Sequence, residues 1–183
     1  MKAYVYIATS LDGFIARENG DLDWLPGADR SHVEVNPEDG DFGYQAFIDS
    51  VDVLVMGRGT FEKVLSFGAW PYGSKRVVVL SSQLTQLPDG LPQTVELKSG
   101  LPVDVVKELA ASGAHHLYID GGKTIQAFLN AGLIQELIIT RIPILIGSGL
   151  PLFGPVQQDL QLRHIETRAF SNGFVQSKYV VDA

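Results

Sequence analysis

The stretch VLVMGRGTFEKVLSFGAWPYGSKRVVVLSS, residues 53–82, reads in order as strand, glycine turn, helix and second strand. Val53 to Met56 is the short apolar run of a buried strand, and Gly57, Arg58, Gly59 and Thr60 interrupt it. Phe61, Val64 and Leu65 then stand at helical spacing. A helix N-terminus behind glycines presents free N–H groups and a positive dipole end, and Arg58 adds a permanent cation with a planar fork of donors. The segment suits a phosphate site, or equally a plain strand-to-helix link with Arg58 solvated. The rest of the chain has to decide.

Outward from this stretch, Tyr44, Phe47, Ile48 and Val51 form a helix face leading into the strand at Val53. Arg76 to Leu80 predicts a buried strand and Gln93 to Leu97 a shorter one. Pro102 suits a first helical turn, with Val103, Val106, Leu109 and Ala110 as the apolar face and Gly113 as the stop. His115 to Ile119 is a further strand ending in Asp120, Gly121 and Gly122, before a helix that buries Ile125, Phe128, Leu129 and Leu133. Glu136 to Ile146 reads as one long strand holding Pro143. Two last strands, about Leu160 to Arg168 and Phe174 to Val181, meet across Ser171, Asn172 and Gly173, a hairpin signal.

At the other end, Tyr4 to Ala8 is a β-prone strand, Asp12-Gly13 and Asn19-Gly20 mark turns, and residues 21–41 read as a long surface loop or lid. The alternation predicts a single α/β domain over residues 1–183. Its mixed, mostly parallel central sheet is flanked by helices on both faces and finishes in a C-terminal antiparallel hairpin.

At 183 residues, 45% hydrophobic and 19% charged, the chain suits one well-buried unit. No apolar run approaches the roughly 18 residues of a membrane span, and the N-terminal run is too short for a signal peptide. The expectation is a cytoplasmic protein with no membrane partner. A formal charge of −7 argues against nucleic acid as partner. The absence of cysteine excludes thiolate chemistry and disulfides, and His32, His115, His116 and His164 lack ligand spacing, so no metal is expected.

Gly122, Lys123 and Thr124 tempt a P-loop reading, but that motif needs glycine where Leu117 stands. No GxGxxG follows the first strand either. What survives is a second glycine turn at a helix N-terminus, matching the one at Gly57. Two such turns at the carboxyl ends of parallel strands would bracket one crevice and face one diphosphate.

Met56, Gly57, Arg58, then Thr60, Phe61, Glu62, and Val77 to Leu80 with Ser81 and Ser82, resemble the cofactor half of dihydrofolate reductases. Asp12 to Ala16, Asp120-Gly121-Gly122 and the run ending Ile146 to Phe153 resemble the reductase domain of bacterial riboflavin biosynthesis, the RibD C-terminal family. The resemblance spans nearly the whole chain. It implies an NADPH-dependent oxidoreductase of a small heterocyclic substrate, similar to 5-amino-6-(5-phosphoribosylamino)uracil reductase. By motif, Gly57, Arg58, Gly59 and Thr60 would hold the diphosphate and 2′-phosphate, and Leu80, Ser81 and Ser82 the adenosine side. Gly121, Gly122, Lys123 and Thr124 would close over the diphosphate, and the backbone of Ala8, Ile15 and Ala16 would meet the nicotinamide.

For the substrate side, the resemblance implies Trp24 and Thr140 as binding residues and Asp29, five residues after Trp24, as the catalytic acid. Asp39, Asp41 or water are alternative proton sources. Trp70 is a further candidate wall of the pocket. Lys75 stands where folate enzymes keep an arginine for the folate tail. The alternatives are a dihydrofolate or pterin reductase, or a non-catalytic nucleotide-binding dimer. The apolar run Leu137 to Ile146 with its GSG end either packs inside the monomer or serves a homodimer interface, as in the riboflavin reductases.

Overall fold

A computed structural model describes residues 1–25 and 39–182. Eight strands form one sheet: β1 (Lys2–Ser10), β3 (Val53–Gly57), β4 (Arg76–Leu80), β5 (Val95–Lys98), β6 (His116–Asp120), β7 (Glu136–Ile142), β9 (Leu162–Ala169) and β10 (Val175–Val181). Their order across the sheet is β5-β4-β3-β6-β1-β7-β10-β9. The first six run parallel, while β10 is antiparallel to both β7 and β9. A small ribbon pairs β2 (Phe14–Ala16) with β8 (Leu150–Pro151).

The parallel strands are apolar on both faces because helices cover both. α3 (Pro102–Ala111) and α4 (Gly122–Asn130) bury Val105, Leu109, Ile125, Phe128 and Leu129 against one face. On the other, α1 (Tyr44–Ser50) sets Phe47 and Ile48 among Leu54, Met56, Val77 and Val79, with Phe61 of α2 (Arg58–Leu65). Aromatic residues dominate this second layer: Phe47 stacks on Tyr6 at 4.9 Å and meets Tyr118 edge-on at 5.0 Å.

Three expectations change in detail. The buried stripe of α3 is Val105 and Leu109, not Val103 and Ala110, since Val103 is 39% exposed. Val103, Val105 and Val106 allow more than one apolar face, and packing turns Val105 and Leu109, one helical turn apart, inward. The strand from Glu136 stops at Ile142, because Pro143 brings no N–H to the ladder. The chain then folds back, with the Asp12 carboxylate accepting from Ile146 N and Gly147 N, so that Leu150 and Pro151 reach β2. The short strand expected from Gln93 begins at Val95.

A strained turn precedes α1. Phe42 holds φ 59, a left-handed conformation uncommon outside glycine. Its carbonyl accepts from Tyr6 OH at 2.8 Å and Gln176 Nε2 at 3.2 Å, and its ring packs edge-on to Phe170 at 4.8 Å. Those contacts fix where α1 begins, and so where Tyr44 stands.

Candidate active site

Strands β3 and β6 are neighbours, paired from Val53 opposite Leu117 to Met56 opposite Asp120. Their next residues, Gly57 and Gly121, are the N-caps of α2 and α4. The two turns interlock. A Cβ on Gly57 would stand 2.6 Å from Thr124 Oγ1, and one on Gly121 would collide with Thr60 Oγ1. Each helix thus lays its first-turn threonine against the other's glycine, and Gly121 at φ +90 also needs the backbone freedom only glycine gives cheaply.

Among the described residues, neither helix has a side-chain cap at its N-terminus. The first-turn N–H groups of both therefore lack the partners that helix geometry alone cannot supply. Adjacent N-termini of this kind have the N–H groups and the positive dipole ends that suit an anion. Arg58 opens α2, exposed, its guanidinium only loosely paired to Glu62 at 3.7 Å. Beyond it, at the end of β4, the Ser81 hydroxyl accepts from Gln83 N and Leu84 N at 3.1 and 3.0 Å and keeps its own proton to donate. Leu80 ends β4 beside Gly57, and Ser82 is exposed next to Ser81. Lys123 lies exposed in the first turn of α4.

The β2 ribbon closes the other side. Ile15 Cδ1 comes within 2.9 Å of where a Cβ on Gly122 would lie, and Ala16 is buried. Ala8 pairs with Thr140 on β7, and β1 continues pairing with β7 to Ser10 opposite Ile142. On its other side β1 pairs with β6 only as far as Tyr4 opposite Tyr118. Past that point the two strands no longer pair, which leaves Ala8 and Asp120 on unpaired edges at the carboxyl ends of the strands, where α/β sheets usually bind ligands.

Of the expected substrate residues, Thr140 is buried and receives a 3.0 Å hydrogen bond from Gln176 Nε2. Gln176 also reaches Tyr6 OH, tying β1, β7 and β10 together at the crevice wall. Trp24 is 3% exposed among Ile142, Phe170 and Phe174, and its Nε1 has no hydrogen-bond partner among the described residues. Asp29 lies outside the described residues. Asp39 anchors Ser171 through its backbone N–H and hydroxyl, and Asp41 accepts from Gly43 N and Gln45 N at the start of α1. Those bonds hold both carboxyls below their ordinary range, the ionised form of a structural cap.

The acid that sequence reading quoted without a role is Asp120. It ends β6 at the crevice, partly accessible, with Oδ1 accepting from Gly121 N at 2.8 Å. No lysine or arginine among the described residues pairs with it. Burial pushes its carboxyl up to about 6. The only sequence signal was position: a carboxylate at the C-terminal end of a central parallel strand, next to a glycine turn.

The fold is dihydrofolate-reductase-like: the order and pairing of the strands place two helix N-termini side by side at the strands' carboxyl ends. The chain overlays the dihydrofolate reductase of Enterococcus faecalis, solved with NADP(H), at TM-score 0.66 with 18% identity, covering 100% of this chain and 92% of that one. At that identity the likeness is one of fold. The sequence model of the RibD C-terminal domain matches residues 2–176, and the chain belongs to that family of reductases. A protein of Shewanella sp. PV-4 provisionally assigned to riboflavin biosynthesis is 45% identical, with TM-score 0.91 over 100% of both chains. An uncharacterised Bacillus subtilis protein, YwjB, is 34% identical over 98% of this chain and 97% of its own. Among the described residues no helix is long and apolar enough to cross a membrane, and no group of three or more His, Cys, Asp or Glu is arranged to hold a metal.

Proposed function

We propose that the chain is an NADPH-dependent reductase of a small heterocyclic or ribosylamino compound. The observation that carries this reading is the pair of interlocked, uncapped helix N-termini at Gly57 and Gly121. Their free N–H groups fit a diphosphate. Arg58 and the hydroxyls of Ser81 and Ser82 fit a 2′-phosphate at the outer end. The backbone of Ala8, Ile15 and Ala16 fits the carboxamide end, where β1 and β6 no longer pair. The bound dinucleotide supplies a hydride to a C=N or C=O carbon of the substrate, and the chain's own residues do the rest.

Those residues position and exclude. Ile15 against Gly122 closes the ribbon over the helix N-terminus, and Thr140, held by Gln176, gives the crevice a fixed hydroxyl. Asp120 gains and loses its proton close to neutral pH, with Oδ1 accepting from Gly121 N–H. A carboxyl near 6 is suited to exchange a proton at the working pH of a cell, which Asp39 and Asp41 are not. Asp29 of the 26–38 segment is a second acid for this role. A folate or pterin substrate remains the alternative within the same chemistry.

The test is oxidation of NADPH followed at its near-ultraviolet absorbance in the presence of candidate heterocycles. Turnover that Asp120→Asn abolishes while leaving cofactor affinity intact supports the assignment. Turnover unchanged in that variant removes Asp120 from the reaction.

A further inference from the structure

One carboxylate spans the two arms of the β2–β8 ribbon. β1 and β7 pair as far as Ser10 and Ile142, and Leu11 N still reaches the Ile144 carbonyl at 2.8 Å. The arms meet again where Phe14 faces Pro151, Ala16 faces Leu150, and Leu152 N donates to the Gly13 carbonyl at 3.1 Å. Between those pairings, among the described residues, no backbone carbonyl accepts from Ile146 N or Gly147 N. Both donate to Asp12 Oδ2 instead, at 3.2 and 2.8 Å. Successive N–H groups turned onto one anion form a nest, and Gly147 takes a left-handed φ of +78 to complete it.

The carboxylate is itself fixed from behind. The buried Ser10 hydroxyl donates to Asp12 Oδ1 at 2.5 Å and accepts from Phe14 N at 3.0 Å. A single chain of hydrogen bonds therefore runs from β2 through Ser10 and Asp12 to the opposite arm. Those donors, Ser10 first, hold the Asp12 carboxyl below its ordinary range, so it is ionised at neutral pH.

The path of the 145–149 arm decides where the ribbon sits. A Cβ on Gly149 would collide with the Ala16 carbonyl, so the arm packs directly on β2. A Cβ on Gly122 would stand 2.9 Å from Ile15 Cδ1 and 3.1 Å from the Pro151 carbonyl, so both strands of the ribbon rest on the first turn of α4. Gln126 of α4 donates to the carbonyls of Pro151 and Leu152 at 3.1 and 3.2 Å. The far end of the ribbon is thus anchored to α4 and the near end to β1, and Asp12 fixes the arm between them.

We propose that Asp12 is a positioning residue for the bound dinucleotide, holding the 145–149 arm against β2 and so setting the height of Ile15, Ala16 and Pro151 over the N-terminus of α4. The proposal rests on the reductase reading above. Asp12 is exposed and acts through the ribbon. Without its carboxylate the two arm N–H groups turn to water, the ribbon lifts more freely, and the dinucleotide leaves faster. Coulomb's law alone predicts the reverse, since the variant removes a negative charge from a protein that binds an anion.

Asp52 supplies the control. It too is an exposed carboxylate that accepts from two successive amides, His115 N and His116 N at 2.7 Å each, but at the amino-terminal ends of β3 and β6. The intact wild type, Asp12→Ala and Asp52→Ala are titrated with NADPH by calorimetry, and amide exchange of the free proteins is followed by NMR. Asp12→Ala should bind NADPH about tenfold more weakly, with faster exchange at Ile146 and Gly147. Asp52→Ala should melt at a lower temperature and keep the wild-type affinity. An Asp12→Ala affinity within about twofold of a wild type that binds would overturn the assignment. So would unchanged exchange at both amides, or an equal loss of affinity in Asp52→Ala, which would make the effect a general loosening of the fold. Should Asp12→Ala not fold, Asp12→Asn, which keeps one acceptor oxygen, carries the same comparison. A wild type that binds no NADPH removes the reductase reading and the assignment together, a result distinct from equal binding by wild type and variant.

Discussion

Thr124 Oγ1 stands 2.6 Å from the point a Cβ on Gly57 would occupy, so the first turn of α4 is seated directly on the N-cap of α2. The reciprocal contact, Thr60 against Gly121, makes the pair a lock between neighbouring strands β3 and β6. A pair of helix N-termini built this way gains rigidity from packing.

Gly57→Ala tests that lock. Gly57 has an extended φ of −81, so alanine brings no backbone strain, and the cost is steric alone. Overpacking of this kind costs about 1–3 kcal/mol. Thr124→Ala in the same chain should restore most of it, because the clashing oxygen is gone. Chemical denaturation of both single variants and the double variant gives the coupling energy. Additive losses would mean that the two turns do not touch.

Asp120 gives a pH signature. Its folded carboxyl titrates at about 6 against an ordinary 3.8, so the fold prefers the protonated form. Between those values the native state binds more protons than the unfolded chain, and stability falls as pH rises through the window. The shift corresponds to an upper bound of about 3 kcal/mol. Asp12, Asp39, Asp41, Asp52 and Glu96 are held low by hydrogen bonds or Arg76 and act in the opposite sense. The readable quantity is therefore the stability of Asp120→Asn minus that of the wild type, measured by denaturation across pH. It should be near zero at about pH 3.5 and reach a plateau favouring the variant above about pH 6.5. A flat difference would deny the burial of the charge.

Gln176 links three elements through one amide, donating to Tyr6 OH, Phe42 O and Thr140 Oγ1 at 3.1, 3.2 and 3.0 Å. Gln176→Leu leaves the buried Thr140 hydroxyl without this donor and the left-handed Phe42 with one support fewer. The expected loss is about 1–3 kcal/mol, with weaker substrate binding and cofactor affinity unchanged. Thermal melts and separate titrations of the two ligands distinguish this from general unfolding, which would reduce both.

The parallel sheet and its glycine turns were readable because strand runs such as Val53–Met56 and helix starts such as Pro102 are local signals. So were the hairpin at Asn172-Gly173 and the pairing of Gly57 with Gly121 around one crevice. The inward stripe of α3 was misjudged because apolar residues stand at Val103, Val105 and Val106 alike, and only packing against Ile119 and its neighbours selects among them. Asp120 escaped because burial is a tertiary property: the same Asp-Gly-Gly in a solvated turn would titrate normally. The aromatic layer beside α1 is likewise assembled from Tyr6, Tyr44, Trp70 and Tyr72, which no sequence spacing connects.

The most direct test of the account is the affinity for NADPH and NADH, measured by calorimetry on the wild type and Arg58→Ala. The loosely paired guanidinium of Arg58 is assigned to the 2′-phosphate, a charge-assisted contact of about 1.5–3 kcal/mol. The account predicts that the wild type prefers NADPH, and that the variant weakens NADPH by about tenfold to a hundredfold while leaving NADH nearly unchanged. Equal losses for both cofactors would contradict the 2′-phosphate role, and no binding of either by the wild type would contradict the reductase itself.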